Sequence, residues 1–368
     1  MALTSLPAAY MRGGTSRALF FDQGDLPALQ GGDRAAWDRI FCAALGSPDP
    51  AARQLDGMGG GITSLSKVAV IGPPTRPDAD LDYTFAQVDV TAPVVGYRGN
   101  CGNISSAVGP YALWSGLVRA EGAQAVVRIH NTNTGKLIRA RFPVEDGQLA
   151  RHGPLALDGV AGTAASIELA FPDPGGAATG RVFPTGLRQE RLPVPGRGTV
   201  RASMVDICNP LLILAAEDFG LAGDEAPLAL AGDVGFLASL SEARCLAALA
   251  MGLVADPHEA RLSLRNLPLV ALVSRSQEAD LRVRMFSSDQ PHKASPLTGA
   301  MALAAAAAIP GTLAHDHAAT AEERFRLAHA SGLLEVTARG SFDADQPVIT
   351  ETTVMRTARL LMTGRVYF

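Results

Sequence analysis

A lysine leads into an apolar run, Lys67-Val68-Ala69-Val70-Ile71, at the end of a segment rich in glycine and hydroxyls, Asp56 to Ser66. Entering an apolar strand partly desolvates an amine, disfavours its ammonium form and suits it to proton transfer. The preceding segment imitates a nucleotide-binding loop without its spacing. A P-loop needs glycine directly before its lysine and Ser or Thr after it; here Ser66 precedes Lys67 and Val68 follows. Ile62 stands where a dinucleotide fingerprint needs glycine. What remains is a loop of N–H and O–H donors, Ser64 and Ser66 among them, delivering one amine. A second candidate is Gly99-Asn100-Cys101-Gly102-Asn103-Ile104-Ser105-Ser106. Cys101 sits where a buried helix is predicted to begin, and the positive end of a helix dipole favours a thiolate. The first-turn N–H groups at Gly102 and Asn103, with the Asn100 and Asn103 amides, make a carboxylate site. A free cysteine is more often a buried structural residue; glycine and asparagine on both sides argue against that here.

Two further donor groups stand out. In Met11-Arg12-Gly13-Gly14-Thr15-Ser16 the glycines let backbone N–H groups turn toward an anion, Arg12 adds charge, and Thr15 and Ser16 add hydroxyls. At the mouth of a second buried helix stand His292, Lys293, Ser295, Thr298 and Gly299. His329 and Arg356 are added as carboxylate partners. Cys42, Cys208 and Cys245 have mostly apolar neighbours and read as structural. His315-Asp316-His317 has no third ligand nearby, so no metal is expected.

These groups need strands and two buried helices to position them. Strands are expected at Val68–Ile71, Asp82–Val90, Val200–Val205, Leu211–Ala216, Leu267–Val273, Leu281–Phe286, Leu333–Ala338 and Val366–Phe368. Ala125–His130 and Leu137–Phe142 flank a hairpin loop, Asn131 to Gly135. Helices are expected at Asp33–Leu45, Asn103–Leu117, Leu237–Met251 and Pro296–Ile309. The last is apolar all round, with Ser295 as its N-cap and Pro310-Gly311 as its stop. Each half thus has strands, one buried small-residue helix, then more strands. The Pro/Gly-rich stretch Pro172–Gly198 is the linker candidate.

The 368 residues suit two domains, and 47% hydrophobic against 18% charged residues excludes wholesale disorder. A net charge of −4 with no basic block argues against nucleic acid or a membrane surface as partner. Four scattered cysteines without C-x-x-C make neither a disulfide framework nor a zinc site. Met1 to Gly14 lacks a leader's basic and apolar regions, and the longest apolar run, Ala300–Ile309, is half of what a bilayer needs. A cytoplasmic protein is expected.

Taken together, the Arg12-Gly13-Gly14-Thr15-Ser16 segment, Gln54-Leu55-Asp56-Gly57-Met58-Gly59-Gly60, Ser64-Leu65-Ser66-Lys67, Gly99-Asn100-Cys101-Gly102-Asn103, Ala107-Val108-Gly109-Pro110, Ala308-Ile309-Pro310-Gly311 and Arg356-Thr357-Ala358-Arg359 resemble the PrpF-type 2-methylaconitate isomerase family. The likeness runs from about residue 8 to residue 366. It implies an α+β, diaminopimelate-epimerase-like fold: two pseudo-symmetric domains, each a curved, mostly antiparallel sheet around a central helix, with the site in the cleft between them. Domains are expected at 1–185 and 186–368, the last strands returning to the first. The family's proton-transfer pair maps onto Lys67 and Cys101, and the family needs neither cofactor nor metal. Arg17 stands where the family usually has lysine, Leu187 where it has asparagine and Ala330 where it has proline.

The expected activity is therefore a cofactor-independent isomerase that moves a proton and a double bond in a small unsaturated di- or tricarboxylate, of 2-methylaconitate type. The alternative is 4-oxalomesaconate tautomerisation; an amino-acid racemase or a non-catalytic acid-binding protein ranks lower. The partner is a small carboxylate, and a homodimer is allowed. Ordinary pKa values of roughly 10.4 and 8.5 make neither Lys67 nor Cys101 a base at pH 7 unless shifted. The helix dipole favours Cys101 as base; burial favours Lys67. The sequence leaves both assignments open.

Overall fold

The computed structural model describes residues 4–320 and 322–368. Residues 1–3, where the segment read as lacking a leader begins, lie outside it. The turn at Gly14-Thr15 closes a hairpin of β1 (Ser5–Gly13) and β2 (Ser16–Asp22), with Gly13 opposite Ser16. Gly14 takes φ +50°, a conformation in which glycine is the natural occupant. Helix α1 (Ala35–Leu45) follows, then β3 (Lys67–Gly72), parallel to β2. Antiparallel to β3 runs β4 (Leu81–Val88), with short β5 (Val95–Gly96) on its end. Helix α2 (Gly102–Ser115) leads to β6 (Gln124–Asn131), which pairs parallel with β4 and antiparallel with β7 (Lys136–Glu145). β3 and β4 are buried along their whole length; β3 reads as a continuous apolar run after Lys67, while β4 buries Asp82, Thr84 and Gln87 among apolar residues, and β6 alternates exposed and buried residues.

One face of this sheet packs on α1: Trp37, Phe41 and Leu45 meet Leu19, Phe21, Val68, Val70, Ala86 and Val88. The other face holds α2, buried from Gly102 to Leu113 and touching β1, β2, β3, β6 and β7. Small residues permit this enclosure. A Cβ on Gly109 would lie 2.7 Å from the Phe142 ring.

The chain divides into two compact units, one running to Leu169 and regaining Arg356–Phe368, the other Ala170–Met355. The division falls earlier than 185/186, and the terminal strand Ala358–Tyr367 pairs with β1 in the first unit. The stretch expected as a linker belongs to the second unit because Asp206 ties it down. The buried Asp206 carboxylate accepts from the Ala178 and Thr179 backbone N–H groups and the Thr179 hydroxyl, at 2.6–2.9 Å.

The second unit repeats the connectivity of the first. Strands Gly198–Ile207 and Asn209–Ala215 form the hairpin, the latter parallel to Leu269–Ser274. Leu281–Ser287 pairs antiparallel with that strand and parallel with Arg324–His329, which turns into Gly332–Ser341. Helix Val234–Ala250 occupies the place of α1, and Leu297–Ala308, buried throughout, that of α2. The repeat extends to single bonds. Asp80 N–H donates to Arg128 O while Asp80 accepts from Arg128 N–H; Asp280 and Arg326 make the same pair. This is the α+β, diaminopimelate-epimerase-like architecture, mostly antiparallel within each unit.

Candidate active site

The first residue of β3 is Lys67, and its amine is buried. Nζ donates to Gln87 Oε1 across the β3–β4 ladder at 2.5 Å and lies 5.1 Å from the centre of the Phe85 ring. Its titratable neighbour is the Cys101 thiol. Burial pushes the lysine pKa down, opposed in part by the charge and hydrogen bond of Cys101. Cys101 is the N-cap residue of α2, and its side chain makes no capping hydrogen bond. The thiol therefore stands at the positive end of a helix, against the one buried lysine of a chain that has only three: Lys67, Lys136 and Lys293. Tyr83, on the same face of β4 as Gln87, is fully buried; burial first and the charge of Cys101 second push its pKa far above the ordinary value.

The hairpin tip is pressed against the start of α2. Asn103 Nδ2 donates to Thr15 Oγ1 at 3.2 Å, and Ser16 is buried beneath the turn. A Cβ on Gly13 would stand 2.4 Å from Asn103 O and 3.1 Å from Ile104 Cα. Gly13→Ala must push the tip off the helix mouth that carries Cys101. The expected cost is about 1–3 kcal/mol of stability, with kcat/KM falling more than tenfold; a thermal melt and a steady-state assay check it.

Arg12 serves this turn. Its Nη1 donates to Gly14 O, Thr357 O and Thr357 Oγ1, each at 3.0 Å. Arg356, buried, passes its Cδ close to Gly14, and desolvation pushes its pKa down to about 9. Asn100 Oδ1 accepts from the Ser105 hydroxyl at 3.2 Å, and Gly102 and Asn103 form the first turn of α2.

The glycine-rich loop differs from its reading as a store of free donors. Met58 and Gly59 N–H groups cap Ala44 O and Leu45 O at the end of α1, and Gly61 N–H donates to Gln54 Oε1. Its glycines permit close approach: a Cβ on Gly57 would lie 2.1 Å from Gly46 N. Ser64 is buried in the turn Thr63–Leu65, and Ser66 Oγ accepts from Gln54 Nε2 at 2.8 Å. Gln54 and Gln87 together fix the approach to Lys67. Gln87 escaped sequence reading, although strand alternation puts it on one face with Tyr83 and Phe85, the polar end of an otherwise aromatic row.

The second helix mouth is built differently. Ser295, expected as the N-cap, lies one residue before it: its hydroxyl contacts Pro296 O and Met285 Sδ, and Pro296 takes the N-cap position. Thr298 Oγ1 accepts from Asn209 Nδ2 at 2.8 Å, matching the link between Asn103 and Thr15. Gly299 gives space to Met285 and Leu269, a packing role. Lys293 is exposed, and its carbonyl accepts from the Ser331 hydroxyl, which brings the turn bearing His329 beside it. Leu269 opens the strand that corresponds to β3, and Pro296 stands where α2 has Cys101. His315 and His317 donate through Nδ1–H to Ala307 O and Leu313 O, and His317 Nε2 faces Glu217.

The fold is that of epimerases and isomerases. A hydroxyproline epimerase from Agrobacterium vitis matches it with TM-score 0.58 at 14% identity, over 99% of this chain and 93% of that one. The chain belongs to the PrpF family, whose model, described as PrpF protein, matches residues 3–368. It is 38% identical to a 2-methyl-aconitate isomerase of Cupriavidus necator, over 98% of this chain and 96% of the relative. It is 38% identical to a 4-oxalomesaconate tautomerase of Pseudomonas putida, over 99% and 96%. A crystal structure of a methylitaconate-delta-isomerase matches with TM-score 0.76 at 36% identity, over 100% of this chain and 96% of that one. The chain is an isomerase of this family.

Proposed function

We propose that this isomerase shifts a proton and a double bond in a small unsaturated di- or tricarboxylate of 2-methylaconitate type, without a cofactor, using Lys67 and Cys101. The observation that carries the reading is a buried, desolvated amine whose titratable neighbour is a thiol at a helix N-terminus. One group removes a proton from carbon conjugated with a carboxylate. Charge spreads over the unsaturated system, and a proton returns at another carbon. Donors aimed at the developing oxyanion, each worth about 3 kcal/mol, are sought among the first-turn N–H groups of α2, the Gly13-Gly14 turn and Arg356. Lys293, Thr298 and His329 are proposed as further carboxylate partners. All four cysteines are free thiols, which fits a reducing cytoplasm.

The tautomerase relative, equal in identity to the 2-methyl-aconitate isomerase, supports a second reading on an oxo acid. Proton NMR time courses in deuterated buffer with 2-methylaconitate, methylitaconate and 4-oxalomesaconate test both. Label entering the methyl or adjacent carbon of 2-methylaconitate, with the highest kcat/KM on that acid, is expected. A higher kcat/KM on 4-oxalomesaconate reverses the order, and no turnover or labelling of any of the three sinks both.

A further inference from the structure

We propose that Gln87 is a positioning residue for the proton transfer: a clamped amide whose oxygen fixes the Lys67 amine against the thiol. The proposal rests on the assignment of Lys67 and Cys101 made above. The Gln87 Nε2 donates to Ser66 O at 2.9 Å and to Thr63 O at 3.1 Å. Reversing the amide would set its oxygen against two carbonyl oxygens and its NH2 against the lysine, so only one orientation satisfies every partner. Oε1 is thereby a dedicated acceptor, and Lys67 Nζ lies 2.5 Å from it.

The clamp is itself clamped. Ser66 O also accepts from Val88 N–H, Ser66 Oγ accepts from Gln54 Nε2, and Gln54 Oε1 accepts from Gly61 N–H. An amine on a four-carbon stem is otherwise free to rotate. With one N–H held by Gln87 and Phe85 beneath it, its other positions are directed in advance. Among the described residues the titratable group that acts on this amine is Cys101. Gln87 is neutral, so it orients the lysine and favours the ammonium far less than a carboxylate at this place would. The second unit has Leu269 at the start of the strand corresponding to β3, and no such clamp is needed there.

The test uses the full-length protein carrying 13C at lysine Cε, whose three lysines give three signals. Gln87→Glu is expected to move the Lys67 titration up by about 1–3 units. Gln87→Met, nearly isosteric, is expected to move it down, because an acceptor that favours the charged amine is lost. The limb of the kcat profile that Lys67 governs, acid if it is the base and alkaline if it is the acid, should follow in the same opposite directions. At pH 7, kcat should fall between about ten- and a hundredfold in both variants, with KM within about twofold. An unchanged titration in both variants, or pH limbs that coincide with the parent's, overturns the proposal. A purely structural Gln87 would lower melting temperature and leave these limbs in place. The NMR titration reads the Gln87–Lys67 coupling without turnover. If that coupling is present while Lys67→Met keeps full activity, the catalytic assignment fails and not the clamp.

Discussion

Lys67→Met is expected to lower kcat/KM by about 10²–10⁴-fold with the fold intact. Methionine fills the same volume between Phe85 and Gln87 and removes only the amine. Its structural cost is one unsatisfied acceptor, Gln87 Oε1, about 1–3 kcal/mol, offset by sparing the burial of an ionisable group. Circular dichroism and a thermal melt should therefore show a folded protein while activity is lost. The pH profile then decides the role. Burial holds the lysine pKa down, so a neutral amine is available at lower pH than for an exposed lysine. If the amine is the base, kcat/KM falls as pH falls through that lowered pKa, since an ammonium has no lone pair. If the ammonium is the acid, kcat/KM falls as pH rises through it. Lys67→Arg sharpens the choice. A guanidinium stays charged and cannot act as base, so it should be as inactive as methionine. Activity within tenfold of the parent in that variant would assign Lys67 an electrostatic role instead.

Much of the scaffold was legible because its signals are local. The hairpin of β6 and β7 announces itself by alternation around Asn131 to Gly135. Both buried helices are marked by small apolar residues on every face, and α2 by the Gly-Asn-Cys-Gly-Asn stretch ahead of it. Lys67 and Cys101 were legible as types in context, one before an apolar strand and one before a helix. Their pairing came from the family resemblance and from no local signal, since 33 intervening residues and a ladder register join them; register depends on both strands and the turn between them. The same limit hid Gln87, whose side chain matters only because Lys67 lies opposite it. The strand Ala358–Tyr367 was read only at its end, because most of its side chains face outward and show no alternation; its partner β1 lies more than 340 residues away. The loop Gly57–Gly61 misled for a different reason. Its glycines suggested exposed N–H groups for an anion, whereas the close approach they permit uses those groups on the end of α1.

The duplicated architecture bears on chemistry as well as on shape. Both units have a helix whose start is tied to a hairpin turn by one polar link, Asn103 to Thr15 in one and Asn209 to Thr298 in the other. Only the first unit adds a group that can carry a proton at both key positions. Leu269 and Pro296 occupy the corresponding places in the second. On the proposed mechanism, proton removal and proton return fall to the start of β3 and the mouth of α2. A three-carbon allylic frame is short enough for neighbouring groups to address its two ends, whereas inversion at a single carbon requires groups on opposite sides.

Cys101→Ala separates the two half-reactions, and this gives the second large effect. With Lys67 as base, the variant should still form the carbanion and return the proton to the carbon it came from. Substrate hydrogen would then wash out into deuterated buffer, because an ammonium carries exchangeable protons. Product formation should fall by about 10²–10⁴-fold, since the group that delivers to the second carbon is gone. With Cys101 as base, washout and product formation should disappear together. Cys101→Ser keeps a hydrogen-bond partner for the Lys67 amine but offers a far weaker acid, so it should resemble alanine in turnover and the parent in stability. The alanine variant should remain folded, since the thiol makes no capping bond at α2. Both rates come from one proton NMR time course, the substrate signal decaying by exchange and the product signal growing by isomerisation. Parent-like product formation in Cys101→Ala would remove the thiol from the mechanism. Washout that outlives isomerisation identifies Lys67 as the group that takes the proton first.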